Sequence, residues 1–97
     1  MRSGETPPAG QAGTIESMDC LVTVTGSDEG RRIEIRGNGA SRFRSAMEEK
    51  IIRMLDALDG TGTENILVNV QDNGALDLVL GARVEAAYLR YREAASK

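Results

Sequence analysis

One serine stands out among the residues that could do chemistry, because Ser17 lies between the carboxylates of Glu16 and Asp19. Residues 1–12 precede it, contain Pro and Gly and have almost nothing apolar to bury, so they predict a flexible tail and an accessible Ser17 hydroxyl. A transferase that supplies its own base can join such a hydroxyl, through a phosphodiester, to a nucleotide-derived group. The short motif is weak by itself, and an ordinary surface serine is the competing interpretation.

The other reactive side chains are few. Histidine is absent, which removes the usual general base and excludes a serine-histidine-acid triad within the chain. Cys20 is the single cysteine, so neither an intramolecular disulfide nor a thiolate metal cluster is possible, and its strand position predicts a buried, inert thiol. This inventory favours a non-catalytic protein without a metal site.

Composition narrows the class of protein further. The chain has 97 residues, of which 40% are apolar and 28% charged, as expected for one folded domain. A net charge of -3 and only three aromatic residues argue against binding to nucleic acid. No segment approaches the roughly 20 apolar residues of a membrane-spanning helix, and no export signal is visible. We therefore expect a soluble protein of the reducing cytoplasm that does not bind membranes.

The elements that must position Ser17 follow from hydrophobic periodicity. Alternating apolar residues predict strands over residues 14–25 and 31–36, joined as a β-hairpin by the Gly-rich residues 26–30. A β-branched run over residues 65–70 predicts a third strand. The predicted class is α+β with element order ββαβα, in which both helices pack on one face of a three-stranded sheet and the first strand lies between the other two.

Two helices carry apolar residues at spacings of three and four. The predicted core stripe of the first helix consists of Phe43, Met47, Ile51, Met54, Leu55 and Leu58, and that of the second consists of Leu76, Leu80, Val84, Ala87 and Tyr91. Ser41 or Ser45 could cap the first helix, and Asp72 or Asn73 the second, with Asp77 near its positive end. Gly81, inside the second helix, indicates either close packing against a neighbour or a tolerated cost.

Two separated segments together resemble one family. The first is AGTIESMD at residues 12–19, and the second is VNVQDNGALD at residues 68–77, followed by LGARVEAA at residues 80–87. These segments, and the order of elements between them, are similar to the acyl carrier (gamma) subunit of citrate lyase. The resemblance extends from residue 12 to about residue 90. It departs from the family pattern at Met18, where a small residue is expected, and at Gln71, where an acid is frequent.

The resemblance implies a carrier rather than an enzyme. Ser17 matches the serine to which the family attaches 2'-(5''-phosphoribosyl)-3'-dephospho-CoA, a phosphoribosyl dephospho-coenzyme A group, by means of a prosthetic-group transferase. The thiol of this arm would hold acetyl, which a citrate lyase alpha subunit exchanges for citryl and a beta subunit restores by releasing oxaloacetate. On this interpretation residues 1–12 are a tail and residues 13–97 form a single acyl-carrier domain.

Other interpretations stay open at this point. A malonate decarboxylase-type carrier subunit has a similar role and prosthetic group, an α+β interaction module would carry nothing, and a small independent enzyme is a third possibility. Glu16 and Asp19 could help a basic partner surface recognise the site, although solvated acids are commoner. Arg83, Arg90 and Arg92 could contact phosphates of the arm, although they also complement the negative end of the second helix.

Overall fold

The computed structural model describes residues 6–59 and 64–97, and within them it contains four strands and two helices. In chain order these are β1 (Ala9–Gly13), β2 (Asp19–Gly26), β3 (Arg32–Gly37), α1 (Ala40–Asp59), β4 (Ile66–Asn73) and α2 (Asp77–Ala95). The α+β class is therefore confirmed, with one strand more than predicted. No helix in the described ranges is both long and apolar enough to cross a bilayer.

The four strands form one mixed sheet in the order β1-β2-β4-β3. β2 runs antiparallel to β4, and β3 runs parallel to β4 after the α1 crossover. The predicted β2–β3 hairpin and the predicted central position of β2 among the three expected strands are both wrong, because β4 lies between them. β4 buries Ile66, Val68 and Val70 and so benefits from neighbours on both sides, whereas β3 carries Arg and Glu and suits an edge.

β1 occupies residues for which a tail was expected. Ala9 pairs with Thr25 and Gly13 with Leu21, so the strand crosses the expected boundary between residues 1–12 and residues 13–97. β1 packs beneath α2, and a Cβ placed on Gly10 would be 2.1 Å from the Ala87 carbonyl oxygen. The glycine allows the helix backbone to lie directly on the strand, so β1 is held by backbone packing rather than by large apolar side chains.

Both helices cover one face of the sheet, as predicted. Alternate residues of the two central strands, such as Val22 and Val68, are fully buried beneath them, and Ile51, Leu55 and Val84 join the same core. The opposite face is uncovered and is lined by a mixture of polar and apolar side chains of the same strands, including Thr23, Asn69 and Gln71 together with Leu21 and Leu67.

The predicted helical stripes are correct over most of their length and wrong at their N-terminal ends. Phe43 is 54% exposed because the helix is interrupted there, with φ -118° and ψ 16°. Leu76 is 60% exposed because it precedes α2 instead of lying within it. Tyr88, which the stripe omitted, is completely buried, and its hydroxyl donates a hydrogen bond to Glu64.

The predicted serine caps of α1 are also wrong, because the helix begins at Ala40 and both Ser41 and Ser45 lie inside it. Gly81 is explained by packing: a Cβ there would be 2.9 Å from Lys50 Cε, so the glycine admits a side chain of α1. The end of the Lys50 side chain therefore lies against α2 at this point.

Candidate functional site

Ser17 lies at the tip of the turn formed by residues 14–18, which connects β1 to β2 and is called the Ser17 turn below. The Asp19 amide donates a hydrogen bond to the Glu16 carbonyl oxygen at 3.1 Å, which closes a four-residue turn. Met18, its third residue, has a φ of 66°, as in a type II turn. Ser17 is therefore in the turn itself and not in a strand, because β2 begins only at Asp19.

The Ser17 side chain faces solvent. The residue is exposed, and its hydroxyl has no hydrogen-bond partner among residues 6–59 and 64–97. An oxygen that is neither buried nor engaged can enter the cleft of another enzyme without first breaking a contact of the fold. The chemically useful property of the site is thus a free hydroxyl at a protruding position.

The base of the turn is held by an ion pair with α2. Arg83 Nε lies 3.0 Å from Asp19 Oδ1 and Arg83 Nη2 lies 3.1 Å from Oδ2, which is the two-pronged arrangement favoured by a guanidinium and a carboxylate. The Thr14 hydroxyl and the Cys20 amide also donate hydrogen bonds to Asp19. Chiefly because of the hydrogen bonds from Arg83, the pKa of Asp19 falls to about 2. The ionised Asp19 carboxylate therefore serves to hold the turn against α2.

β4 holds the turn from the other side. The backbone carbonyl oxygen of Asn73 accepts a hydrogen bond from the Met18 amide at 2.7 Å. The side-chain amide of Asn73 donates a hydrogen bond to the Ile15 carbonyl oxygen at 2.9 Å. The Asn73 side-chain oxygen accepts from the Asn38 side chain at 2.6 Å. Asn73 thus links the Ser17 turn to the loop after β3, a role that its position beside Gly74 in a turn sequence did not reveal.

Asp72 organises the loops next to this contact. Its side chain is 5% exposed and accepts hydrogen bonds from the amides of Gly39, Gly74 and Ala75, at 3.0 to 3.2 Å. The prediction that Asp72 or Asn73 caps α2 is wrong, because Leu76 precedes that helix and no side chain caps it. Asp72 caps the turn before the helix instead. Asp77 does lie in the first turn of α2, as expected.

Three further residues that the sequence singled out, Cys20, Arg90 and Arg92, are engaged within the fold. Cys20 is fully buried, as predicted, and burial is the main reason that its pKa rises to about 11. Arg90 donates a hydrogen bond to the Gln11 carbonyl oxygen at 2.7 Å, and the Arg92 guanidinium lies 5.9 Å from the centre of the Tyr88 ring. In the described ranges, no three His, Cys, Asp or Glu side chains are grouped so as to hold a metal ion.

Comparison with known proteins adds independent information. A family model described as ACP, malonate decarboxylase delta subunit (MdcD), matches residues 8–91. The chain is 35% identical to the citrate lyase acyl carrier protein of Halothermothrix orenii, with 89% of this chain and 88% of the relative aligned. It is 41% identical to citrate lyase acyl carrier protein 2 of Salmonella paratyphi A, over 84% of this chain and 82% of the relative.

Among solved structures, the chain is similar to the crystal structure of ttk003000868 from Thermus thermophilus, with a TM-score of 0.51. The match covers 95% of this chain but only 18% of the Thermus chain, at 16% sequence identity. At that identity the similarity concerns the fold alone.

Proposed function

The chain belongs to the family of citrate lyase acyl carrier proteins, and we propose that it is the acyl carrier subunit of a citrate lyase, with its prosthetic arm attached at Ser17. The arm is 2'-(5''-phosphoribosyl)-3'-dephospho-CoA, joined to the serine by a phosphodiester. The single observation that supports this site best is the exposed Ser17 hydroxyl, which has no hydrogen bond within the described part of the chain.

The surroundings of Ser17 suit attachment by another enzyme. The chain has no histidine, Asp19 is paired with Arg83, and the exposed carboxylate of Glu16 makes no hydrogen bond to the Ser17 hydroxyl, so no general base is in place in the turn. As the serine oxygen bonds to the phosphorus of an activated donor, the bond between that phosphorus and the donor's phosphate leaving group breaks, and a base of the transferase takes the proton of the hydroxyl. This chain contributes only a protruding, correctly presented oxygen.

The same geometry suits a carrier. When attached, the arm supplies the thiol on which an alpha subunit exchanges acetyl for citryl and a beta subunit releases oxaloacetate. Arg83 and Asn73 hold the base of the Ser17 turn, so the root of the arm has a defined position while the arm itself moves. Tethering keeps the cargo at an effective concentration in the millimolar range near both cytoplasmic partner subunits.

Intact-mass measurement tests the proposal. The chain purified from its native host should carry the added mass of one arm, and peptide mapping should locate this mass at Ser17. Ser17→Ala should remove the added mass and the lyase activity while subunit assembly is retained. Ser45→Ala is the matched control, because Ser45 is also exposed but lies inside α1. An unmodified Ser17 in an active complex contradicts the proposal, as does full activity of Ser17→Ala, which an interaction module would show.

A malonate decarboxylase-type carrier is the second candidate, because the family model that matches residues 8–91 is described by that subunit. The role of Ser17 would be the same, so the distinction concerns the partner enzymes. The complex that co-purifies with the chain should convert citrate and leave malonate unchanged. Conversion of malonate alone would favour the second candidate.

A further inference from the structure

A cleft of about 490 Å³ opens between the N-terminal ends of the two helices, close to the Ser17 turn. We call it the apolar cleft, and the side chains that matter below are Phe43, Met47, Ala75, Leu76 and Leu80. Its volume falls within the roughly 300–1,000 Å³ typical of small-molecule sites. The lining is mainly apolar, with Asn38, Asp72 and Asp77 as polar groups at its edge.

The apolar cleft is an uncovered continuation of the hydrophobic core. Phe43 and Leu76 continue the apolar stripes of α1 and α2 in sequence, yet they are 54% and 60% exposed. Each stripe therefore ends at the cleft instead of in a packed core. Removing such side chains from water is favourable, so an apolar group entering the cleft would be stabilised.

The cleft lies directly beside the turn that presents Ser17. Gly74 lines it, and a Cβ on Gly74 would be 3.9 Å from the Met18 Cα. Met18 is itself 62% exposed, so an apolar side chain of the Ser17 turn lies next to this side of the cleft. A group attached at Ser17 can therefore reach the cleft without crossing the molecule.

An arginine side chain lies next to this apolar surface. The Arg42 guanidinium lies 5.3 Å from the centre of the Phe43 ring, at the edge of the cleft. Arg42 is exposed and forms no ion pair with the described residues. An unpaired arginine beside an apolar cleft, in a chain with a net charge of -3, suits a ligand that is apolar in one part and phosphorylated in another.

We propose that the apolar cleft binds the pantetheine part of the arm, while Arg42 faces the phosphates of the adjoining dephospho-coenzyme A part. The cleft would then be a resting site for the thiol between its reactions on the partner subunits. This inference rests on the proposed function, which supplies the arm. The interaction can be weak, because a short flexible tether gives an effective concentration in the millimolar range. A dissociation constant of about 1 mM for the free ligand is then enough to fill roughly half of the clefts.

Free ligands can test the cleft without any modification of Ser17. Pantetheine and dephospho-coenzyme A are titrated separately into the unmodified, ¹⁵N-labelled chain, up to about 10 mM, a concentration that exceeds the effective concentration of the tethered arm. Amide shifts should change at Phe43, Ala75 and Leu76. Changes confined to the uncovered sheet face at Thr23, Asn69 and Gln71, or no change at all, would overturn the proposal.

Matched variants separate the apolar from the charged contribution. Leu76→Gln should weaken binding of both ligands at least about fivefold, the equivalent of roughly 1 kcal/mol of lost apolar contact. Leu78→Gln should leave binding unchanged, because Leu78 is 81% exposed and does not line the cleft. Arg42→Glu should weaken dephospho-coenzyme A but not pantetheine, which has no phosphate. Equal effects of Leu76→Gln and Leu78→Gln would contradict the site.

The two proposals fail in different experiments. Shifts at the cleft together with an unmodified Ser17 in the native, active complex would retain the cleft as a binding site and reject the carrier proposal. An arm on Ser17 without any shift at the cleft would do the reverse.

Discussion

Two turns in the described part of the chain contain a serine, and the two serine hydroxyls differ in their hydrogen bonding. The Ser17 turn joins β1 to β2, and the Ser27 turn, residues 27–31, joins β2 to β3. The Ser27 hydroxyl donates a hydrogen bond to the Gly30 carbonyl oxygen at 2.5 Å and so stabilises its own turn. The Ser17 hydroxyl, in contrast, makes no such bond within the described ranges.

Both turns are nevertheless fixed to the rest of the fold at their bases. Asn65 holds the Ser27 turn through the amides of Ser27 and Gly30, as Asn73 and Arg83 hold the Ser17 turn. The two serines themselves differ: Ser17 is exposed with an unbonded hydroxyl, whereas Ser27 is half-buried and its hydroxyl is bonded within its own turn. Exposure of a loop does not by itself identify an attachment site; a free hydroxyl on a well-anchored turn is a sharper criterion.

Among the changes that test the difference between the two turns, Asp72→Ala is expected to have the largest effect on stability. Three amides lose their acceptor, and although water can reach some of them, we expect a loss of about 2 kcal/mol in the free energy of unfolding. Hydrogen exchange should accelerate in the Ser17 turn, which Asn73 anchors beside Asp72, but not in the Ser27 turn. Asp72→Asn, which keeps the size and one acceptor oxygen, should lose less. Equal acceleration in both turns would show that the anchors are not independent.

Lowering the pH is expected to reduce the stability of the fold by a smaller amount. Mainly through its hydrogen bonds to Arg83, the pKa of Asp19 falls from its ordinary value of 3.8 to about 2, so its ionised form stabilises the folded state. That contribution is complete above about pH 4 and is lost as the pH falls towards 2. It is modest because Arg83 is 40% exposed and solvent screens the pair.

The measurement is the thermal midpoint of unfolding between pH 6 and pH 2. The midpoint should decline less steeply in Asp19→Asn than in the unaltered chain, with Arg83→Gln giving a similar reduction because it removes the cause of the shift. If both variants retain the full decline, the pair does not contribute to acid stability.

The smallest effect has the opposite sign. Met18 has a φ of 66°, a conformation that costs a side chain with a Cβ about 1–2 kcal/mol and that Asn tolerates better. Met18→Asn should therefore raise the free energy of unfolding by up to about 1 kcal/mol, as measured by urea denaturation. Ile15→Asn is the control in the same turn, since Ile15 has no positive φ, and it should give no gain. A gain from both variants would mean that the φ of Met18 is not the cause.

Local patterns in the sequence predicted many of the strands and helices and their buried faces. The alternation of Val22 and Val24 predicts a strand with one buried face, and the spacing of Leu80 and Val84 predicts the buried side of a helix, because both patterns depend only on backbone periodicity. The same patterns failed at Phe43 and Leu76, where the helices begin. Periodicity does not reveal where a helix starts or whether a neighbouring element covers its first turn.

The candidate site divides in the same way. The accessible Ser17 hydroxyl was predicted from a flexible tail, whereas in the structure strand β1 precedes it and the hydroxyl is exposed on a turn. The partners that anchor this turn are distant in sequence. Arg83 lies 64 residues from Asp19, and Asn73 lies 58 residues from Ile15. No local pattern indicates such pairs, and both residues had simpler interpretations as a helix-end cation and a turn residue.

By itself, the sequence determined the α+β class and the buried faces of its strands and helices, and it singled out Ser17 as the proposed site of attachment. Only the tertiary structure decided that β4 lies between β2 and β3, that β1 exists, and that a cleft opens beside the Ser17 turn. The physical reason is range: periodicity acts within one element, whereas strand order and clefts result from competition among distant segments for the same partners.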